Sequence, residues 1–290
     1  MIPAAFTYHA PRTLGDAVRL LRAYEGEARV VSGGMSLIPA MKLRLVQPEH
    51  LIDIGRLGEL DYVRRTEDGG AAIGAGATYR SIERSRTVAA VAPMLVETVR
   101  QVGDLQVRNR GTLCGSAAHA DPAADAPAAL LALDATLHTT GGPSRRSIQA
   151  RRFFVDAYET VLGPTEVLTE IRIPKQPART GSTYLKFANK ASRFAIVGVA
   201  AAVTVDRGGV CTRARIAVTG AGPRAVRATA SERYLEGRQL SAEAIAAAAS
   251  RASRGMEFIE DVHGSEEYRE HLTGVLTQRA LMEAARRAGV

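Results

Sequence analysis

Gln106-Val107-Arg108-Asn109-Arg110-Gly111-Thr112-Leu113-Cys114-Gly115-Ser116-Ala117-Ala118-His119-Ala120-Asp121-Pro122-Ala123-Ala124-Asp125 is the stretch on which the fold of this 290-residue chain turns. Small residues dominate it, so something large is expected against its backbone. It reads as a loop from Gly111 to Asp125 leading into an Ala/Leu-rich helix through Leu133. Asp125 then either caps that helix or accepts a hydrogen bond from a sugar or polyol hydroxyl. His119, Asp121 and Asp125 do not make a metal set, because they share one irregular segment with no fourth ligand at characteristic spacing. His119 as a general base has no evident nucleophile to serve.

A related stretch lies far upstream, Val30-Val31-Ser32-Gly33-Gly34-Met35-Ser36-Leu37. A short β run from Ala28 to Val31 delivers the chain to two glycines, and helical spacing from Leu37 to Leu45 comes after Ser36. Glycines let a backbone approach a phosphate closely, and the free N–H groups of a helix start favour an anion there. Ser36 adds a hydroxyl donor. Taken alone, the stretch reads more readily as a plain strand-to-helix turn.

Around these loops the first 175 residues mix strands and helices in the βα order of an α/β or α+β domain. Thr13 caps a helix to Tyr24, Leu51 to Ile54 is a strand, and Leu60 to Ala77 is a hairpin turning at Glu67-Asp68-Gly69-Gly70. Val88 to Val102 is helical, and Ala135 to Thr140 and Val167 to Ile173 are strands. Lys175 to Gly181, punctuated by Pro and Gly, reads as a linker. Beyond it Tyr184–Phe187, Val197–Val205 and Val210–Val218 are expected as antiparallel strands, succeeded by helices over Arg224–Leu235, Ser241–Arg251 and Ser265–Ala288.

Composition narrows the function classes. The two cysteines, Cys114 and Cys211, exclude a cysteine-ligated iron–sulfur cluster, a multi-cysteine zinc site and a disulfide framework within the chain. That usage suits a reducing cytoplasm. The apolar runs, such as Ala195 to Val205, are too short for a transmembrane segment, and the first residues lack the blocks of a signal peptide. The formal charge of +8 comes almost wholly from arginine interspersed with acids, and Trp is absent. Both features argue for a solvated surface rather than a nucleic-acid face.

The two loops, together with the C-terminal part of the chain, resemble the FAD-binding medium subunit of molybdenum hydroxylases, the flavoprotein of carbon monoxide dehydrogenase and xanthine dehydrogenase type enzymes. The first loop of that family reads roughly A-G-G-x-S-L, matched by Ser32-Gly33-Gly34-Met35-Ser36-Leu37. The second reads R-N-x-G-T-I-G-G-N then H-A-D-P-A-x-D, matched by Arg108 to Ser116 and His119 to Asp125. Tyr184-Leu185-Lys186-Phe187, Ala191 to Ala195 and Glu267 to Leu281 are also similar, so the resemblance spans essentially the whole chain. Cys114 stands where the family has a second glycine, and Ser116 where it has Asn. These departures bear on flavin affinity and position.

The resemblance implies an α+β fold: the two-subdomain FAD-binding fold of the vanillyl-alcohol oxidase (PCMH) type, with a C-terminal α+β domain. The expected units are 1–55, 56–176 and 181–290. It implies FAD held by Val30, Val31, Ser32, Gly33, Gly34, Met35, Ser36 and Leu37 from one side and by Gly111, Thr112, Leu113, Cys114, Gly115 and Ser116 from the other. Asp125 is expected to bond the cofactor, Val167 or Leu168 to pack on an apolar face of it, and Lys186 and Phe194 to lie near the flavin ring. Phe194 reads about equally as a strand core residue. The implied role is electron transfer with no catalytic acid or base on this chain. The implied partners are a small subunit with [2Fe–2S] clusters and a large molybdenum-cofactor subunit, assembled as a dimer of heterotrimers. A stand-alone flavin oxidoreductase, or a basic nucleic-acid or scaffold protein without flavin, is the alternative. Gly33→Glu is expected to lose FAD with the fold retained.

Overall fold

A computed structural model describes residues 1–142 and 144–290. The chain opens with β1 (Thr7–His9), α1 (Leu14–Ala23), β2 (Ala28–Val31), α2 (Leu37–Lys42) and β3 (His50–Asp53). The strands form a parallel sheet in the order β1-β3-β2. Thr13 caps α1 through its hydroxyl oxygen, which accepts the Asp16 N–H at 3.1 Å. Successive residues of a strand face opposite ways, and β3 uses this: Ile52 joins Ala17 and Leu21 of α1 in the main core, while Leu51 packs with Val31 and Met41 on the α2 side.

The middle of the chain runs β4 (Val63–Arg65), β5 (Ala71–Gly74), α3 (Tyr79–Arg84), α4 (Arg86–Val91), α5 (Pro93–Gln101), α6 (Leu105–Arg110), α7 (Leu113–His119) and α8 (Asp125–Ala132). It continues with β6 (Thr136–Thr140), β7 (Arg146–Gln149), β8 (Phe154–Asp156), β9 (Glu159–Thr160) and β10 (Val167–Ile173). Five of these strands make an antiparallel sheet ordered β4-β5-β10-β6-β7, so the last strand in sequence lies at its centre. Two readings need correction. The helix expected over Val88–Val102 breaks at Ala92, because Pro93 lacks an N–H and opens a new helix instead. The segment expected as a loop from Gly111 to Asp125 contains α7, capped by Thr112, whose hydroxyl oxygen accepts the Gly115 N–H at 3.0 Å.

The remainder folds as β11 (Thr180–Ala188), β12 (Ala195–Val205), β13 (Cys211–Thr219), β14 (Val226–Arg227), α9 (Thr229–Leu235), α10 (Ala242–Ala249) and α11 (Glu266–Ala288). The four strands form an antiparallel meander in chain order. β11 begins within the expected linker, and residues 226–227, expected as helix, pair with β13 before α9 starts. Both faces of β12 are buried, which explains its unbroken apolar sequence. Val197, Val199, Ala201 and Val203 pack with α11. Ala200, with Ala217 and Tyr184 from the neighbouring strands, joins the core of the preceding half.

Candidate functional site

The two glycine loops, distant in sequence, meet. A Cβ built on Gly33 collides with the Arg110 carbonyl and lies 2.8 Å from Gly111 Cα, so the loops touch backbone to backbone. Gly34 holds φ +73°, a region that side chains with a Cβ avoid. Ser32 is committed to the scaffold, its hydroxyl donating to the Ala75 carbonyl at 3.0 Å. From Gly33 to Leu37, the backbone N–H groups donate to no acceptor among the described residues. Ser36 is exposed and makes no side-chain cap bond to α2. The first loop is therefore a run of available donors.

The second loop is differently built. Thr112 is spent on capping α7, and Leu113 is fully buried in the core behind the loop. Cys114 occupies the first turn of α7 with 2% exposure, and its sulfur lies 4.0 Å from the Ile73 carbonyl oxygen. Burial pushes its thiol far above the ordinary range, and the Glu170 carboxylate adds to this. It is an unreactive thiol filling space. Tyr79 lies against Gly111, and burial likewise raises its hydroxyl, with Ser116 pulling the other way.

Together the loops line one cleft of about 820 Å³. It is closed by Val167 and Leu168 at the start of β10, Tyr158 from the β8–β9 turn, and Arg193 and Phe194 at the end of the β11–β12 turn. Phe194 is 46% exposed and precedes β12, so the core-strand reading of this residue fails. His119 tilts against Tyr158 with ring centroids 5.1 Å apart, and burial lowers its imidazole while Asp121 opposes this. Glu166 also reaches the cleft. Burial raises its carboxyl, but the Arg146 guanidinium, the Gly163 N–H and the Thr139 hydroxyl outweigh it and hold the group below the usual range. Arg29 and Arg193 are the only basic residues with permanent charge among the described lining residues, so an anion here is met chiefly by backbone.

Asp125 does not cap α8. It is the first residue of the helix, after Ala124, and its carboxylate reaches across to the C-terminal sheet. Tyr184 Oη donates to Oδ1 at 2.5 Å and Lys186 Nζ to Oδ2 at 2.8 Å. Burial raises the Asp125 carboxyl against the pull of both partners. Every site residue expected from the sequence lines the cleft except Leu113, which lies behind it, and Lys186, whose side chain is 2% exposed and lies beyond Asp125. Tyr79, Tyr158, Glu166 and Arg29 also line it without having been expected. Only Glu166, next to the β10 residues already singled out, had a signal that would have found it. No group of three metal-ligating side chains occurs among the described residues.

Comparison with known proteins agrees with this geometry. Residues 4–176 match the family described as the FAD binding domain in molybdopterin dehydrogenase, and residues 182–284 the CO dehydrogenase flavoprotein C-terminal domain. The chain therefore belongs to the FAD-binding medium subunits of the molybdenum hydroxylase family, with the PCMH-type two-subdomain fold and its C-terminal α+β domain. It is 39% identical to the carbon monoxide dehydrogenase medium chain of Hydrogenophaga pseudoflava, over 98% of both chains. It is 36% identical to the 6-hydroxypseudooxynicotine dehydrogenase complex subunit alpha of Paenarthrobacter nicotinovorans, over 99% of this chain and 97% of that one. Among solved structures, carbon monoxide dehydrogenase from Hydrogenophaga pseudoflava lacking the Mo-pyranopterin moiety superposes with a TM-score of 0.95 at 41% identity, over 99% of each chain. Quinoline 2-oxidoreductase from Pseudomonas putida 86 gives 0.93 at 34% identity, over 100% of each. The cleft fits the family's cofactor: its volume falls in the upper part of the range of about 300–1,000 Å³ for small-molecule sites, and its consecutive N–H donors suit a diphosphate. The chain is a flavoprotein subunit with an electron-transfer role.

Proposed function

We propose that this chain binds FAD in the cleft between its glycine loops, receives electrons from [2Fe–2S] clusters on a small partner subunit, and passes them to an external acceptor. A large subunit carrying the molybdenum cofactor oxidises the organic substrate, and the assembly is a dimer of heterotrimers. The observation that carries the reading is the meeting of two glycine loops, the first a run of available N–H donors, over one cleft large enough for a dinucleotide. The two cysteines of the chain support placing the clusters elsewhere, since each cluster needs four ligands.

When bound, FAD supplies the redox chemistry; the protein supplies binding and environment. The N–H groups of Gly33 to Leu37 and the Ser36 hydroxyl meet the diphosphate. Val167 and Leu168 give an apolar wall, and Phe194 an aromatic one at the mouth. Asp125 turns one carboxylate edge to the cleft while Tyr184 and Lys186 hold it. In this reading residues 1–55 and 56–176 clamp the cofactor, and 181–290 hold the aromatic wall against it. No helix among the described residues is long and apolar enough to cross a membrane.

The visible spectrum of the purified protein tests the cofactor. The expected result is oxidised-flavin absorbance released as FAD on denaturation, with co-purification of a cysteine-rich small chain and a molybdenum-containing large chain. Colourless protein that cannot be reconstituted with FAD refutes the reading. FAD on a protein that turns over an organic substrate without partners points to a stand-alone oxidoreductase.

A further inference from the structure

Lys186 has all three of its ammonium hydrogens committed. Nζ donates to Asp125 Oδ2 at 2.8 Å on α8, to the Gln101 carbonyl at 2.9 Å ending α5, and to the Arg193 carbonyl at 2.7 Å. The last of these is one residue before Phe194. The turn that carries Phe194 is largely exposed; its other ties outside itself are Asn189 Nδ2, 3.2 Å from His263 Nδ1, and the next residue, Ala195, whose N–H donates to the Ala123 carbonyl at 3.2 Å. The Asn189 N–H donates to the Phe194 carbonyl and the Arg193 N–H to the Asn189 carbonyl, both at 2.9 Å, and Asn189 Oδ1 accepts from the N–H groups of Ala191 and Ser192. Arg193 closes the turn at φ +64°, a conformation costly for a residue with a Cβ that its surroundings must enforce. A buried ammonium missing one acceptor is strongly penalised, so Lys186 pulls on the Arg193 carbonyl from a fixed base formed by two helices.

We propose that Lys186 is a positioning residue: from outside the cleft, it holds the Asn189–Phe194 turn, and with it the Phe194 ring, against the cofactor. This rests on the FAD reading above, and replaces the expectation that Lys186 itself binds the flavin. An arrangement of this kind sets the aromatic wall by one charge that never touches the ligand, while Asp125 at the other end of the same ion pair faces the cleft.

A double-mutant cycle on FAD binding, read by flavin fluorescence and visible circular dichroism of the protein as purified, tests this. Lys186→Met is expected to weaken FAD binding by about tenfold and to change the flavin dichroism. In a Phe194→Ala background, the same substitution is expected to have about twofold effect or less, because the group it positions is gone. Equal loss in both backgrounds, or no loss in either, overturns the proposal. Should Lys186→Met not fold, Lys186→Gln, which keeps a donor without the charge, carries the same cycle to the same decision. Wild-type protein that takes up no FAD overturns the cofactor reading itself, whereas wild type that binds FAD with an additive cycle overturns only the role given to Lys186.

Discussion

The two glycine loops look alike in composition and do different work. The first, from Gly33 to Leu37, is a free edge: its N–H groups have no partner among the described residues and its serine is exposed. The second, from Gly111 to Ser116, is a scaffold: its threonine caps α7, its leucine is core, and its cysteine is buried, with burial pushing the thiol up. They meet where Gly33 abuts the backbone of Arg110 and Gly111. Glycine thus serves loop-to-loop contact at that point, while the approach to an anion is left to the residues after it.

The contrast can be broken at its junction. Gly33→Ala forces a methyl group into backbone that cannot swing aside, and is expected to cost about 3 kcal/mol in urea denaturation along with most FAD affinity. The expectation that Gly33→Glu spares the fold is revised for the same reason. Retained stability in Gly33→Ala would show that the loops part freely. A smaller effect tests the scaffold side. Cys114→Gly, which restores the family's glycine, is expected to lose about 1–2 kcal/mol through helix propensity and lost packing, with no gain in FAD affinity. Tighter FAD in that variant would mean that the sulfur intrudes on the cleft. The smallest effect on stability sharpens the donor side. Ser36→Ala is expected to stay within about 0.5 kcal/mol of wild type in stability, yet to weaken FAD binding about threefold to tenfold through one lost charge-assisted hydrogen bond. Unchanged binding would remove the Ser36 hydroxyl from the site.

Much of the fold was legible in the residues. The Glu67–Gly70 turn between β4 and β5, the Thr13 cap and the long β12 run announced themselves because each is a local signal: turn chemistry, capping and an apolar run. α7 was hidden because it is only 7 residues long and carries the weak helix formers Gly115 and Ser116 at its centre, so tertiary packing of Leu113, Cys114 and Ala117 decides the matter. The start of α9 was misplaced because pairing of Val226 and Arg227 with β13 is a long-range fact. The cleft loops were readable through their motifs. The commitment of Lys186 was not, since its three partners lie on α5, α8 and a turn, and only the folded chain brings those carbonyl and carboxylate oxygens to one ammonium.

The position of β10 has a consequence for how the molecule is made. It forms the middle of the five-stranded sheet although it leaves the ribosome after the other four strands. Until residue 173 emerges, β5 and β6 each present an unpaired inner edge, the kind of template on which chains stick to one another. Even then the core lacks Tyr184, Ala200 and Ala217, which arrive with the next domain. The order of synthesis therefore runs against domain-by-domain folding: a nascent chain of this kind spends much of its translation time unfinished, with closure of nonlocal pairings setting the pace.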